Sequence, residues 1–498
     1  MKITLISPYP DITSFGLRTI CAFLKKHGHR TRMIFIPDPY GDDLMYGVRR
    51  YEDRILDQAA ALCMDSDLIG ITLMTNFFDG AVEITNKLKS VTRAFVVWGG
   101  VHPTIRPEES LKYADAVCVG EGEEALLELA DKLSAGADHT NTGNMWFKVN
   151  GRIIKNRIRP LVKNLDTYPL PDYSLDDHHI LFDGSIRPLT EEITRKFLER
   201  GTVSHYLKKT GYQTMTGRGC PHQCTYCIND AIKTLYEGAS YLRWRSASHV
   251  IEELLWVKKN MPYVGFIWIS DDAFFARNQK GIEEFCREYK EKIGLPFSCL
   301  ASPLTISEEK MKALVGAGLI YIQMGIQTGS AKIQELFNRK RMSNDRVMTA
   351  IRIINKYKRK MFPPNYDFIL DVPYETDSDV IESLKLIADI PKPFHLQPFA
   401  LVLYPGTKLH EMAAKDGLIK DEKKDIYAKS YTMREPNYLN LLLTLSRGGK
   451  FPGPLLRLLV SHPVVGALNS RPLRPFFKGL YISLKGSYKM AKRLAGRQ

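Results

Sequence analysis

The chain has 498 residues, 44% of them hydrophobic and 25% charged, with a formal net charge of +15. That length is too great for one ordinary domain and enough for two or three, and the composition excludes a disordered or wholly membrane-embedded chain. Five of the eight cysteines stand singly, at Cys21, Cys63, Cys118, Cys286 and Cys299, which excludes a secreted disulfide framework and points to a reducing cytoplasm.

The opening MKITLISPYP reaches proline too soon for the apolar core of a signal peptide, and no apolar run approaches the ~18 residues of a spanning helix. Five short apolar strands follow in chain order: KITLIS, RTRMIFI, DLIGITL, AFVVWGG and AVCVGEGEE. Each leads into a segment of helical periodicity. After the first strand it carries Leu17, Ile20, Cys21 and Leu24, and after the fifth Leu126, Leu129, Ala130 and Leu133. Five strand-helix units predict a doubly wound parallel sheet whose ligand lies beyond the carboxyl ends of the strands. The loops there suit that role. SPYPDITSFG follows strand one, Thr75 and Asn76 strand three, GGVHPT strand four and GEGEE strand five. Turn chemistry alone would select the same residues in any one loop, but four together favour a ligand.

Next, VNGRI reads as a hairpin turn and LDTYPLPDYSLDD as an extended, proline-punctuated connection. A second alternating series then begins: YQTMTGRG, GFIWISDD, FSCLAS, LIYIQMGIQTG, NYDFILDVP and HLQPFALVLYPGT, separated by amphipathic helices. The clearest of these carries Ile282, Phe285, Cys286, Tyr289 and Ile293 on one stripe. Six strand-helix units predict a parallel, partly closed barrel with its chemistry at the carboxyl ends of the strands.

Just past the first barrel strand, GRGCPHQCTYCIND places Cys220, Cys224 and Cys227 at C-x3-C-x2-C spacing. A structural zinc site wants four ligands, and His222, inside the loop, does not complete the usual pairs of pairs. Three thiolates on an iron-sulfur cluster leave one iron open, which is useful when that iron does chemistry.

This loop, with Tyr226 before the last cysteine, resembles the signature of the radical S-adenosylmethionine (SAM) enzymes. The likeness extends over roughly Met1 to Ile419 and is to the cobalamin-binding branch of that family. GGVHPT and GEGEEALLEL are similar to that branch's cobalamin-domain loops, and YLRWRSASHVIEEL, ISDDAFF, GIQTGS, FILDVPYET and YPGTKLHEMAAKDGLI to its barrel landmarks. The resemblance implies an α/β chain in four parts: a Rossmann-like cobalamin-binding domain over 1–138, a linker with a hairpin over 139–210, a partial (β/α)6 TIM-like radical SAM barrel over 211–410, and a basic, mostly helical extension over 411–498.

It also implies a 4Fe-4S cluster on Cys220, Cys224 and Cys227, whose open iron chelates SAM and whose electron splits it to methionine and a 5′-deoxyadenosyl radical. Asp271 and Asp272 stand where the family contacts the methionine part of SAM, and Tyr226 would pack near the adenine. Ser302 and Gln327 join them as expected SAM contacts, although many members have glutamate where Gln327 stands. Pro8, Thr75, Gly99, Gly100, His102, Pro103, Glu121, Gly122 and Glu123 are the expected cobalamin contacts. The chain departs from a better-known cobalamin pattern in having no D-x-H-x-x-G to supply a histidine to cobalt. The DDHH at Asp176 to His179 is not that motif, and His102 is read as a contact and not as a ligand.

An unactivated C–H bond is too weakly acidic for side-chain bases, so a radical route suits its methylation. Rearrangement, ring closure or electron transfer without methyl transfer is the alternative, and a non-catalytic metal-binding relative is another. A reductant such as flavodoxin or ferredoxin is an expected partner.

From Pro436 to Gln498 there is no acid, while Arg447, Lys450, Arg457, Arg471, Arg474, Lys478, Lys485, Lys489, Lys492, Arg493 and Arg497 are all positive. Interleaved leucine, phenylalanine and tyrosine suit peripheral contact with the inner face of a membrane and a lipid-like or other small-molecule substrate. Nucleic acid is the disfavoured use of this charge, because the cations are not set among stacking aromatics on a recognition module.

Overall fold

The computed structural model describes residues 1–37, 50–236, 238, 240–427 and 437–483. Of the basic positions near the C-terminus, Lys485, Lys489, Lys492, Arg493 and Arg497 lie outside the described residues. The chain divides into two compact units. The first comprises the described residues of Met1–Phe274, Arg287–Phe297 and Leu403–Ser430, and the second those of Phe275–Cys286, Ser298–Val402 and Tyr431–Gln498.

In the first unit the five predicted strands form where the apolar runs stand: β1 Lys2–Ser7, β2 Arg30–Phe35, β3 Leu68–Thr72, β4 Phe95–Gly99 and β5 Ala116–Cys118. Between them run helices such as Phe15–Lys26, Phe78–Val91 and Glu123–Ser134. The segment 139–210 supplies four further strands: β6 Met145–Val149, β7 Arg152–Lys155, β8 His179–Phe182 and β9 Ser185–Pro188. The nine-stranded order is β7-β6-β5-β4-β3-β1-β2-β8-β9. Pairing is parallel from β5 across to β8, and each edge is closed by an antiparallel hairpin. Both hairpins turn on an Asx-Gly pair with positive φ, Asn150–Gly151 at 50° and 78° and Asp183–Gly184 at 48° and 74°. That backbone matches the twist of the flanking strands.

Because the chain runs outward from β1 in both directions, β1 and β3 flank the topological switch point, where such sheets open a crevice for ligands. The apolar faces meet in one core that includes Leu5, Leu17, Leu24, Val97, Leu126, Leu129 and Phe147.

A buried polar cluster ties the extended connection to this sheet. Asp172 Oδ2 accepts from the Cys21 thiol at 3.2 Å and His178 Nε2 at 3.2 Å, and lies 2.7 Å from Lys25 Nζ. His178 Nδ1 accepts from Met33 N at 3.0 Å, which assigns its proton to Nε2. The cluster is thus a satisfied hydrogen-bond node, although its ligand atoms lie close enough for an ion. Burial alone would raise the Asp172 carboxyl. Hydrogen bonds from His178, Lys25 and Ser174 outweigh it and hold the group well below the usual carboxylate range.

The stability this contributes is therefore full above the unfolded carboxyl's ordinary value and lost as the pH falls below about 4. Asp172→Asn should cost about 3 kcal/mol at neutral pH. Thermal melts over a pH series should show the gap to wild type narrowing in acid, and a gap that stays constant would refute the assignment.

The first unit also holds β10 Gly211–Thr214, parallel to β13 Phe266–Ile269, and a short antiparallel pair, β11 Gly217–Arg218 with β12 Arg243–Trp244. The predicted first barrel strand is therefore broken at Met215–Thr216, and its second half pairs with a strand that periodicity did not reveal.

The remaining barrel strands are β14 Phe297–Ala301, β15 Leu319–Gln327, β16 Asn365–Leu370 and β17 His395–Ala400. In the second unit β15, β16 and β17 run parallel in that order. The helix Asp377–Asp389 opens with a capping box of Thr376 and Asp379. The described part of the C-terminal extension is helical, at Tyr438–Ser446, Gly453–Leu459, His462–Leu468 and 474–483. Among the described residues no helix is long and apolar enough to cross a membrane.

Candidate active site

The cysteine loop begins where β11 ends. Gly219 has φ 91°, and a Cβ there would fall 2.4 Å from Tyr241 O, so only glycine lets the loop turn here. Cys224 is buried, and Cys220 and Cys227 are half-buried. All eight cysteines are free thiols. Cys227 N donates to Cys224 O at 3.0 Å, and Cys227 caps the helix Ile228–Thr234.

Burial, joined by the charges of Cys227, Asp272 and Cys224, pushes the Cys220 thiol up to about 12. The Cys227 thiol is pushed up to about 11, chiefly by burial and against the donors of Asn229. Three thiols gathered in one short loop are a donor set that a cationic group, such as an iron-sulfur cluster, would hold as thiolates. A single zinc fits less well. With Zn–S near 2.3 Å its sulfurs lie within about 4.6 Å of each other. Among the described residues the only three ligand groups within 4.8 Å of one another are those of Cys21, Asp172 and His178.

Beside the loop is a cavity of about 370 Å³ that lies wholly within the first unit. One wall comes from the carboxyl ends of β1, β3, β4 and β5, with Gly70, Thr72, Gly99, Gly100 and the loop Gly120–Glu123. The other comes from Met215, Gly217, Arg218, Gly219, Tyr236, Tyr241 and Asp272. The glycines leave this wall as bare backbone packed closely on its neighbours. A Cβ at Gly122 would come 3.3 Å from Ile20 Cδ1, and one at Gly100, with φ 98°, 2.9 Å from Leu73 O. Such a wall fits a large flat cofactor whose tail enters the sheet crevice.

The cavity brings together Gly99, Gly100, Glu121, Gly122, Glu123 and Asp272. It does not bring in Pro8, Thr75, His102 or Pro103. His102 is 1% exposed, its ring set against Phe78 at 4.9 Å and Tyr427 at 5.4 Å, with Nδ1 3.2 Å from Thr75 Oγ1. Burial, with Arg106 nearby, lowers its pKa to about 4, so it is a neutral packing residue behind the wall. The histidine that lines the cavity is His249, in YLRWRSASHVIEEL. Its Nδ1 accepts from Arg245 Nε at 2.9 Å, which leaves the proton on Nε2.

The two adjacent aspartates part company. Asp271 is 2% exposed and accepts from Thr216 N and Thr216 Oγ1, each at 2.5 Å, so it clamps the break between β10 and β11. Asp272 opens into the cavity. Enclosure by protein raises its carboxyl, against a hydrogen bond from Asn229. Asp271→Ala should therefore lower stability by about 2 kcal/mol or more, since two donors lose their acceptor. A thermal melt matching wild type would show the clamp to be unimportant. Tyr226, half-buried beside Cys227, does not line the cavity.

Ser302 and Gln327 belong to the second unit. Ser302 Oγ donates to Met342 Sδ at 3.8 Å, and Gln327 ends β15 at φ 76°, next to an irregularity in its pairing with β16.

Glu121 and Glu123 do more than line a wall. Glu123 is 3% exposed and accepts from Arg218 Nη2 at 2.5 Å. Glu121 pairs with Arg243 and lies 3.3 Å from Arg218 Nη1. Burial would raise the Glu121 carboxyl, but the two arginines win and lower it. Glu121 N donates to Tyr236 Oη at 3.0 Å, and Tyr236 stacks on Tyr241 at 6.3 Å. Tyr241 Oη in turn donates to Asn229 Oδ1 at 3.3 Å. A continuous path thus runs from the glycine loop of the sheet to Cys227. The segment YPGTKLHEM packs against both ends, with Leu409 N donating to Thr225 O at 2.9 Å and Gly406 close against Ile105.

Two family models match the chain, the B12 binding domain over residues 1–130 and the radical SAM superfamily over residues 214–387. An uncharacterized methyltransferase of Pyrococcus horikoshii, PH0819, is 28% identical over 363 residues, covering 71% of each protein. The bacteriochlorophyllide d C-8(2)-methyltransferase of Chlorobaculum tepidum is 23% identical over 374 residues, covering 73% of this chain and 72% of that one. Among solved structures, the radical SAM methyltransferase TsrM of Kitasatospora setae, with tryptophan and a SAM analogue bound, superposes with a TM-score of 0.65. It is 15% identical, and the match covers 83% of this chain and 76% of that chain.

The fold and the thiol loop define a radical SAM enzyme. The chain combines a radical SAM domain with a B12 binding domain, and the cofactors of those domains are SAM, an iron-sulfur cluster and cobalamin.

Proposed function

We propose that the protein is a cobalamin-dependent radical SAM methyltransferase that methylates an unactivated carbon of a lipid-like or other small-molecule substrate. The observation that carries this reading is the single cavity walled on one side by the glycine loops of the sheet and on the other by Asp272 and Gly217–Gly219, the stretch that leads into the cysteine loop, whose three cysteines lie behind that wall and do not line it. The methyltransferase names of the two relatives support it.

Cys220, Cys224 and Cys227 would hold a 4Fe-4S cluster, Asp272 would bind the amino group of SAM, and Gly99, Gly100 and Gly120–Gly122 would seat cobalamin against the backbone. When bound, the cluster supplies the electron that splits SAM to a carbon radical, and cobalamin supplies a transferable methyl group. The chain's own part is placement. The Arg218 and Arg243 pairs with Glu121 and Glu123 hold the glycine loop at the mouth of the cysteine loop, and the Tyr236–Tyr241 stack closes the wall between them. Asn229 donates to Cys227 Sγ at 3.9 Å and to Asp272, which keeps the thiol and the carboxylate in register. Ser302 and Gln327 are proposed as further SAM contacts, and a flavodoxin or ferredoxin as the reductant.

The test is to incubate reconstituted enzyme, cobalamin and reductant with methyl-labelled SAM and a lipid extract. Label recovered first in methylcobalamin and then in a lipid product supports the reading. Formation of 5′-deoxyadenosine with every methyl label left in methionine would replace it with rearrangement or ring closure.

A further inference from the structure

The described C-terminal residues 437–483 contain Arg447, Lys450, Arg457, Arg471, Arg474 and Lys478 and no acid. Arg457 pairs with Asp389, and the other five form no ion pair among the described residues. The same stretch holds Leu445, Leu455, Leu458, Phe476, Leu480 and Ile482, six of the fifteen large apolar side chains exposed among the described residues. Leu458 at 61%, Phe476 at 62% and Ile482 at 59% are among the most exposed of all.

These side chains are not surplus from a core that failed to form. The helix Tyr438–Ser446 buries Leu439, Leu441, Leu442 and Leu443. The helix Gly453–Leu459 buries Leu456 and turns Leu455 and Leu458, three residues apart and so on one face, to solvent. Residues 474–483 bury Phe477 against Tyr438 at 5.4 Å and leave Phe476 and Leu480, four apart, exposed. Each of these last two helices therefore has an inward face that packs and an outward apolar face that does not, and residues 474–483 also carry the unpaired Arg474 and Lys478.

We infer that this segment is a docking surface for an anionic lipid bilayer, with Leu455, Leu458, Phe476 and Leu480 entering the interface and Arg471, Arg474 and Lys478 meeting the headgroups. Charge decides the occupant. A segment with five unpaired cations and no acid of its own, touched by Asp389 at Arg457 and by Asp377 at Asn469, still carries an excess of positive charge that complements a sheet of anions, and its exposed leucine and phenylalanine need an apolar layer, which a nucleic acid backbone does not offer. The inference rests on the proposed reading only for its purpose, delivery of a lipid-like substrate. The contact itself stands on exposure and charge.

The experiment is co-sedimentation of the full-length holoenzyme, without reductant, with vesicles of phosphatidylcholine alone or with one third phosphatidylglycerol. Pelleting with the anionic vesicles, and little with the neutral ones, is expected. Replacing Arg471, Arg474 and Lys478 by glutamine should lower the partition coefficient roughly a hundredfold. L455D/L458D should lower it as well while leaving the thermal melt unchanged, because both side chains are exposed in the folded chain. Equal supernatant fractions with and without anionic vesicles would overturn the inference, as would pelleting that neither variant reduces, or self-association through this face in place of lipid binding. None of these outcomes depends on turnover, so each is separable from failure of the methyltransferase reading.

Discussion

Alanine at any one of Cys220, Cys224 or Cys227 is expected to lower reductive release of 5′-deoxyadenosine from SAM by roughly a thousandfold or more, since the three thiolates act as a unit. The loss should be complete at each position because the loop holds no spare donor of the same kind. Among the described residues, the other five cysteines are buried outside the loop, on helix faces or in strands, Cys118 among them in the sheet wall of the cavity. Iron and sulfide content should fall with activity, while far-ultraviolet circular dichroism stays that of wild type. A single-cysteine variant that keeps both its iron and its 5′-deoxyadenosine release would contradict the assignment of the loop.

Gly99→Leu is expected to separate the two cofactors. Gly99 has no need of positive φ, and a Cβ there meets nothing nearer than Cys118 Cβ at 3.7 Å, so the sheet accepts the side chain. The rest of the leucine enters the cavity. Retention of cobalamin, read from its visible absorption after gel filtration, should fall tenfold or more, equivalent to about 1.4 kcal/mol. The melting temperature and SAM cleavage should hold. Gly100 is a poorer probe, because φ 98° and Leu73 O at 2.9 Å would disturb the loop itself. Undiminished cobalamin in Gly99→Leu would show that the cofactor does not use this cavity.

What was legible in the chain was what is local. Apolar runs marked the first five strands to within a residue or two, except that AVCVGEGEE is a strand only through Cys118. The stripe Ile282, Phe285, Cys286, Tyr289 and Ile293 is wholly buried, as its spacing implies. The cysteine loop was readable because its spacing lies within eight residues. VNGRI announced one edge hairpin, and Asp183–Gly184 carried the same signal for the other, in the part of the linker beyond the extended connection.

What was not legible depends on partners distant in sequence. Arg243 and Glu121 stand 122 positions apart and Arg218 and Glu123 stand 95 apart, so their pairing leaves no local trace. Neighbouring side chains at a strand end point in opposite directions, and periodicity alone does not say which of Asp271 and Asp272 faces the ligand. His102 was expected as a cobalamin contact because it stands in a glycine-flanked loop at a strand end. Its burial comes from Phe78 and Tyr427, which lie on separate elements.

The central claim is that three thiols hold a cluster with one iron open to SAM. Low-temperature electron paramagnetic resonance of anaerobically reconstituted, dithionite-reduced protein, recorded before and after adding SAM, tests it most directly. The account predicts a reduced cubane signal whose g values change when SAM is added and do not change with methionine-free adenosine. A cluster signal indifferent to SAM, or protein that takes up zinc and forms no cluster, would contradict it.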